Sequence, residues 1–287
     1  MVHLYPTSWG LDCASSNLSN ATILSAGIPL EASIQDLNSY FTPRVIGGEN
    51  TPEGYAPHMV AILIGDEVFQ LIVCGGSLVK VDLVMTAAHC ITEFQVQGVL
   101  MQSFHAVAGS NNWKTGGTKV YFQNYHIHPE WDPIHIKNDI GFLGLTEKLK
   151  LGDHLQLAAM SSKFVGQEAS SVTGWGWIAQ WSLTPFHLQI LEVTTLSPED
   201  CTDRVREAST VMWPNAPHVD PTIEICTLHS TGSGLCYGDS GSALMSKETG
   251  NQIGIASWAF TCARGVPDMY VRISAFKDYI ESVMEQY

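Results

Sequence analysis

The chain is short of positive charge. Its 287 residues carry 14 Lys and Arg against 28 Asp and Glu, a formal net charge of −14. No cluster of Lys or Arg interrupts that balance, so a phosphate backbone finds no complementary surface and no nucleic-acid partner is expected. Acidity of this kind mostly means a soluble, self-repelling surface. No apolar run reaches the length of a membrane span, and no membrane partner is expected. None of the seven cysteines stands in a C-x-x-C pair, which weakens zinc and thioredoxin readings. No internal repeat is visible. What is present is a 45% hydrophobic composition, enough for a sizeable core in one large domain or two modest ones.

The stretch that organises the chain is Cys236-Tyr237-Gly238-Asp239-Ser240-Gly241-Ser242. Glycine permits backbone conformations that a side chain forbids. A tight loop of this composition can hold a serine hydroxyl out into a cleft while backbone N–H groups converge on one spot. Those are two parts of an acyl-transfer site, a nucleophile and an oxyanion hole, although such residues also make ordinary turns. A serine nucleophile needs a base, and the base needs an orienting group. Thr86-Ala87-Ala88-His89-Cys90 offers a histidine beside a cysteine, and Asn138-Asp139-Ile140 offers an aspartate leading into an apolar run.

From Val45 onward short apolar runs alternate with turn signals. Met59–Ile64, Val68–Val73, Leu83–Ala88, Lys119–His126, Gly141–Leu145, Ser170–Gly174, Leu188–Thr194, Ile223–Cys226, Ala243–Ser246, Gln252–Ser257 and Met269–Ile273 read as strands. That spacing predicts an all-β sandwich or a pair of barrels. Two stretches read as helices. One has Ser197 as N-cap, Pro198 at the first helical position and acids behind it, and is predicted to run to about Ala208. The other places Phe276, Ile280, Val283 and Met284 on one face at the C-terminus.

The order His, Asp, Ser, together with Val45-Ile46-Gly47-Gly48, Cys74-Gly75-Gly76-Ser77-Leu78, Thr173-Gly174-Trp175-Gly176 and Ser257-Trp258, resembles the trypsin/chymotrypsin family of serine proteases over Val45 to Tyr287. The resemblance implies an all-β fold of two six-stranded antiparallel barrels, roughly 45–155 and 165–273, with a C-terminal helix over 274–287 and the active site between the barrels. Residues 1–44 would then be a precursor segment. It implies His89 as general base, Asp139 as its orienter, Ser240 as nucleophile, and the backbone N–H groups of Gly238 and Ser240 as oxyanion hole. Ser257, Trp258 and Ala259 would pair with an extended substrate. Six cysteines alone permit 15 pairings. The resemblance selects Cys74–Cys90, Cys201–Cys226 and Cys236–Cys262, each worth roughly 3 kcal/mol in the chain-entropy model, and leaves Cys13 over.

Arg44-Val45 resembles a zymogen cleavage point. Cutting there would free the Val45 ammonium to pair with the Asp239 carboxylate. Bridges imply an oxidising compartment, hence secretion, although no clear signal peptide is visible: Ala21–Leu30 is broken by Ser25, Gly27 and Pro29. Asn17-Leu18-Ser19 and Asn20-Ala21-Thr22 are glycosylation sequons by pattern.

For the primary pocket, the resemblance places Gly234 at the floor, where trypsin-like members carry aspartate. A neutral pocket follows, with Leu235 adding apolar bulk, Ala259 narrowing the mouth, and cleavage after apolar or aromatic residues. The rival is Asp268, at a wall position usually held by glycine, where a carboxylate could attract Lys or Arg. An inactive homologue with a binding role is the rival from another class. His126, His128 and His135 invite a metal assignment, but nothing supplies a well-spaced fourth ligand. Between Glu93 and Glu130 there is no Asp or Glu for a calcium loop. No metal and no cofactor are expected. The expected partners are protein or peptide substrates, an activating trypsin-like protease and protein protease inhibitors, and a monomer is expected.

Overall fold

The computed structural model describes residues 47–163, 166–178, 184–260 and 262–287. Arg44, Val45, Cys13 and the two sequons lie outside the described residues. The first half holds β1 (Glu49–Asn50), β2 (Met59–Gly65), β3 (Gln70–Lys80), β4 (Leu83–Thr86), the short helix α1 (His89–Thr92), β5 (Gln95–Val96), β6 (Val99–Leu100), β7 (Phe104–Ala108), β8 (Thr118–Ile127) and β9 (Gly141–Leu145). The second half holds β10 (Ala169–Gly174), β11 (Gln189–Thr195), α2 (Pro198–Met212), β12 (Glu224–Leu228), β13 (Ala243–Ser246), β14 (Gln252–Ala259), β15 (Asp268–Arg272), a 3-10 turn (Ile273–Ala275) and α3 (Lys277–Met284).

Strands β2-β3-β4-β9-β8-β7 close into one antiparallel barrel. The order β11-β10-β13-β14-β15-β12, closed by a β11–β12 pairing, makes the second, with β1 added on β11. These are the two six-stranded barrels and terminal helix that the resemblance implies. Among the described residues, no helix is long and apolar enough to cross a membrane.

Strand β2 shows why the apolar pattern does not alternate. Val60 and Ile62 point into the first barrel's core with Leu78, Leu83, Met85 and Phe142. Met59, Ala61 and Leu63 point the other way, into a cluster with Trp175, Leu188 and Ala243 of the second barrel. A strand covered on both faces reads as a continuous apolar run. The cluster shared with the second barrel packs the two barrels together.

Several elements differ from the sequence expectation, among them the two-residue strands β1, β5 and β6, which it does not contain. Asp66 Oδ1 accepts the amides of Val68 (2.8 Å) and Phe69 (2.9 Å), so these residues form a turn rather than a strand. The strand starts instead at Gln70 and runs through Gly75 and Gly76 to Lys80, glycines that break its pattern in sequence. The five-residue β7 (Phe104–Ala108) was not expected, and its residues are all buried. Helix α2 is capped as predicted, Ser197 Oγ accepting the Asp200 amide at 3.1 Å, but it passes Ala208 to Met212. Nothing stops it before Pro214, which disfavours helix at Trp213.

Candidate active site

His89 opens α1 at the end of β4, directly after Ala87 and Ala88, both fully buried. The Cys74–Cys90 disulfide holds this turn against β3. Asp139 enters β9 from the other side. Asn138 before it takes a positive φ of 56°, a conformation asparagine tolerates, and its side chain donates to Glu130 O at 2.8 Å.

The two side chains meet. Asp139 is 1% exposed; its Oδ2 accepts His89 Nδ1–H at 2.8 Å and its Oδ1 accepts the His89 backbone amide at 2.9 Å. Ser257 Oγ donates to the same Oδ2 at 2.6 Å. Ser257 is the extra residue at a register shift between β14 and β15, a bulge that re-aims the side chain. Burial works against charge on His89, but the Asp139 carboxylate outweighs it and raises the His89 pKa. Burial likewise opposes the Asp139 charge, and the His89 cation with the donated hydrogen bonds outweighs it, holding the carboxyl below its ordinary value. Nδ1 donates to a carboxylate, so the neutral ring has its lone pair on Nε2. That is the arrangement of a general base.

The loop 236–242 is strapped to both barrels. Gly75 of β3 donates its amide to Ser240 O at 2.7 Å, and Gly241 donates to Ala256 O of β14 at 2.8 Å. Thr86 Oγ1 adds a bond to Gly75 O at 2.8 Å. Ser240 is half-buried. Among the described residues, no hydrogen bond within 3.5 Å reaches its Oγ, so the structure joins His89, Asp139 and Ser257 but not Ser240 Oγ. Such bonds are often long before substrate binds. Among the described residues the amides of Gly238 and Ser240 have no acceptor, whereas the amide of Asp239 between them donates to Cys236 O at 3.1 Å. Two neighbouring free donors suit a developing oxyanion. Gly241 has φ +80°, and a Cβ there would lie 2.1 Å from Thr86 Oγ1 and 2.3 Å from Gly75 O. Gly241→Ala is therefore expected to lose more than about 2 kcal/mol of stability, read as a fall in the urea midpoint; an unchanged midpoint contradicts the strap.

Asp239 is buried beneath this loop. Its Oδ1 accepts the Gly176 amide at 2.8 Å and its Oδ2 the Cys236 amide at 3.0 Å. Burial pushes its pKa up to about 7 against those two donors. A Cβ on Gly174 or Gly176 would lie 2.2 and 2.3 Å from its carboxylate, which is why Trp175 stands between glycines.

Among the residues expected to line the primary pocket, Asp268 opens β15 opposite Ala259 of β14. Its Oδ2 accepts the Leu235 amide at 2.9 Å and lies 2.8 Å from where a Gly234 Cβ would be. The carboxylate thus comes close to Gly234, the position expected at the pocket floor. Burial raises its pKa to about 7, with the nearby Asp239 charge adding to the effect. Leu235, expected to add apolar bulk to the pocket, packs its side chain in the second barrel's core with Val172, Ile225 and Leu244. Trp213, Trp258 and Phe260 form a run of rings with centroids 6.1 and 5.8 Å apart.

The three histidines that invited a metal go to different partners. His126 lies against Tyr287, His128 packs edge-on to Tyr279 at 4.6 Å, and His135 binds Asp132 at 2.6 Å. The one group among the described residues with metal-ligand spacing is Cys74, His89 and Cys90, and its sulfurs are joined to each other. All three disulfides implied by the resemblance are present, including Cys201–Cys226 and Cys236–Cys262.

The family model described as Trypsin matches residues 45–280. The chain belongs to the trypsin family. Among curated relatives it is similar to a vitellin-degrading protease of Bombyx mori, 28% identical over 83% of this chain and 84% of that protein. It is similar to hypodermin-B of Hypoderma lineatum, 28% identical with 83% and 86% covered, and to trypsin beta of Drosophila erecta, 28% identical with 83% and 87% covered. As a trypsin-family chain it is a serine protease by kinship. Gly234 and Asp268, the expected floor and wall of the primary pocket, stand together. Sequence reasoning missed two features of the site: the Ser257–Asp139 bond, which depends on a bulge, and a buried Lys137–Glu224 pair beside Trp258, whose members are far apart in the chain.

Proposed function

We propose that this trypsin-family chain is a serine endopeptidase that hydrolyses peptide bonds through an acyl-enzyme. The observation that carries the reading is the buried Asp139 carboxylate gripping His89 at both its ring and its backbone. In this reading His89 Nε2 takes the Ser240 hydroxyl proton as Oγ attacks the scissile carbonyl. The Gly238 and Ser240 amides stabilise the oxyanion. His89 then delivers the proton to the leaving amine, and water repeats the sequence to release the acid. Ser257 bonds Asp139 and, with Trp258 and Ala259, offers main chain to the substrate. The enzyme is made as a zymogen, cleaved after Arg44 by a trypsin-like protease and open to protein inhibitors. It is secreted, consistent with its three disulfides, and digestive. A fluorophosphonate tests the reading against that of an inactive homologue. Stoichiometric labelling after trypsin treatment, abolished by Ser240→Ala, supports it; no labelling overturns it.

The preferred residue before the cut is apolar or aromatic, since Gly234 leaves the floor without a side chain. Asp268 favours a second reading at higher pH. Its pKa of about 7 leaves it mostly neutral at pH 6 and mostly ionised at pH 8, and only the carboxylate attracts Lys or Arg. The ratio of kcat/KM for an Arg substrate over its Phe counterpart is expected to rise about tenfold from pH 6 to pH 8. Titration of His89 acts on both substrates and cancels in the ratio. Asp268→Asn should flatten the curve. A flat wild-type curve that keeps Phe preferred leaves the apolar reading alone; a wild-type preference for Arg at pH 6 overturns it.

A further inference from the structure

Lys137 and Glu224 form an ion pair between the barrels that no catalytic step above uses. Lys137 lies in the loop between β8 and β9, two residues before Asp139, and Glu224 opens β12. Nζ and Oε2 are 2.8 Å apart, with the side chains 17% and 6% exposed. Glu224 Oε2 also accepts the Asp220 amide at 2.8 Å. Its Oε1 accepts the indole N–H of Trp258 at 3.0 Å. Lys137 Nζ sits 5.9 Å from the Trp258 ring centroid. The loop that brings Lys137 in is closed by paired backbone bonds between Asp132 and Lys137 of 3.0 and 3.1 Å.

A buried ion pair is weak evidence for stability, because an apolar pair of similar volume often does as well. What this one adds is direction. Each carboxylate oxygen takes a donor from a different element, and a lysine with a flexible stem is held in one place. The next bond along the same two segments is Ser257 Oγ to Asp139 at 2.6 Å. Segments 137–139 and 257–258 are therefore tied twice, once directly at the Asp139 carboxylate and once through Glu224 at the tryptophan. The first tie orients the base. The second fixes Trp258 on β14, the strand along which an extended peptide would lie in the peptidase reading.

We propose that Lys137 and Glu224 are positioning residues for peptide binding, holding Trp258 and its strand in line with the first barrel so that substrate residues upstream of the scissile bond are registered against His89 and Ser240. The proposal rests on the peptidase reading above. Its test compares the full, trypsin-activated chain with Lys137→Met, Lys137→Arg and the double variant Lys137→Met/Glu224→Gln. The substrates are a four-residue peptide anilide and a single-residue ester with the same residue before the cut. Active sites are first counted with a fluorophosphonate.

Lys137→Met is expected to lower kcat/KM on the peptide about tenfold, mainly through KM, and to change the ester less than about twofold. Lys137→Arg should stay within about threefold of wild type on both, because it keeps the cation. The double variant leaves no lone buried charge, so it keeps the fold and shows the same length-dependent loss. Equal losses on peptide and ester, or a double variant as active on the peptide as wild type, overturn the proposal while the peptidase reading stands. A wild-type chain that takes no label overturns both.

Discussion

Ser240→Ala is expected to lower kcat on a peptide substrate by about six orders of magnitude with little change in KM or stability. The contrast with Gly241 explains the second half of that expectation. Ser240 is held by its main chain, through Gly75 N to Ser240 O at 2.7 Å, and the next bond runs from Gly241 N to Ala256 O at 2.8 Å. Among the described residues its hydroxyl supports nothing, so alanine leaves the strap, the free amides and the Asp139–His89 pair in place. What is lost is the atom that attacks the carbonyl in the proposed mechanism. Residual hydrolysis of about 10³–10⁴ over water remains from the oxyanion hole and binding alone. Steady-state assays beside a thermal melt check both halves. Activity within tenfold of wild type removes Ser240 from the mechanism, and a large fall in melting temperature assigns it to the scaffold.

The second large effect concerns Asp239. An unfolded Asp ionises near pH 3.8, and burial raises this one to about 7. Between those values the unfolded state has released the proton and the native state still holds it. Stability therefore falls as pH rises through that window, on the order of 4 kcal/mol for this group alone. Below pH 3.8 the penalty is absent. A cation delivered to the carboxylate would reverse the penalty, since an opposite charge favours the ionised form. Cleavage after Arg44 makes such a cation, the Val45 α-ammonium, which titrates near pH 8 when free.

Trypsin treatment is accordingly expected to raise activity at least about 10³-fold, through the oxyanion loop that Asp239 underlies. It should also raise the melting temperature at pH 7.5. Arg44→Gln should show neither change after the same treatment. Full activity of the untreated Arg44→Gln chain would falsify the zymogen reading. A gain in activity without a gain in stability would mean the new amine acts somewhere other than Asp239.

The motifs legible in the sequence are those whose chemistry is local. A loop with glycines on both sides of Asp239-Ser240 announces itself because its strained backbone is written in adjacent residues, Gly238 and Gly241 at φ +96° and +80°. Thr86–Cys90 is legible because the buried alanines, the histidine and its clamping cysteine share one turn. The strand count was nearly legible from apolar runs and turns. The bounds of β3 were not, because Ser242 and Val84 press on Gly75 and Gly76 and these glycines interrupt the pattern. The count missed the two-residue strands β1, β5 and β6, and β7, five buried residues whose short run the pattern passed over.

The sequence by itself determined the family, the all-β class, the three disulfide pairs through the family's motifs, and the triad candidates His89, Asp139 and Ser240. These are carried by adjacent residues and by chain order. Tertiary structure alone decided where Leu235 points, that Ser257 bulges onto Asp139, how close the Asp268 carboxylate comes to the Gly234 floor, and that Lys137 meets Glu224 beneath Trp258. The physical reason is common to all four. Each depends on which face a side chain presents once two barrels close, or on burial that shifts a charge. Both arise between residues tens of positions apart, where sequence spacing carries no geometric information.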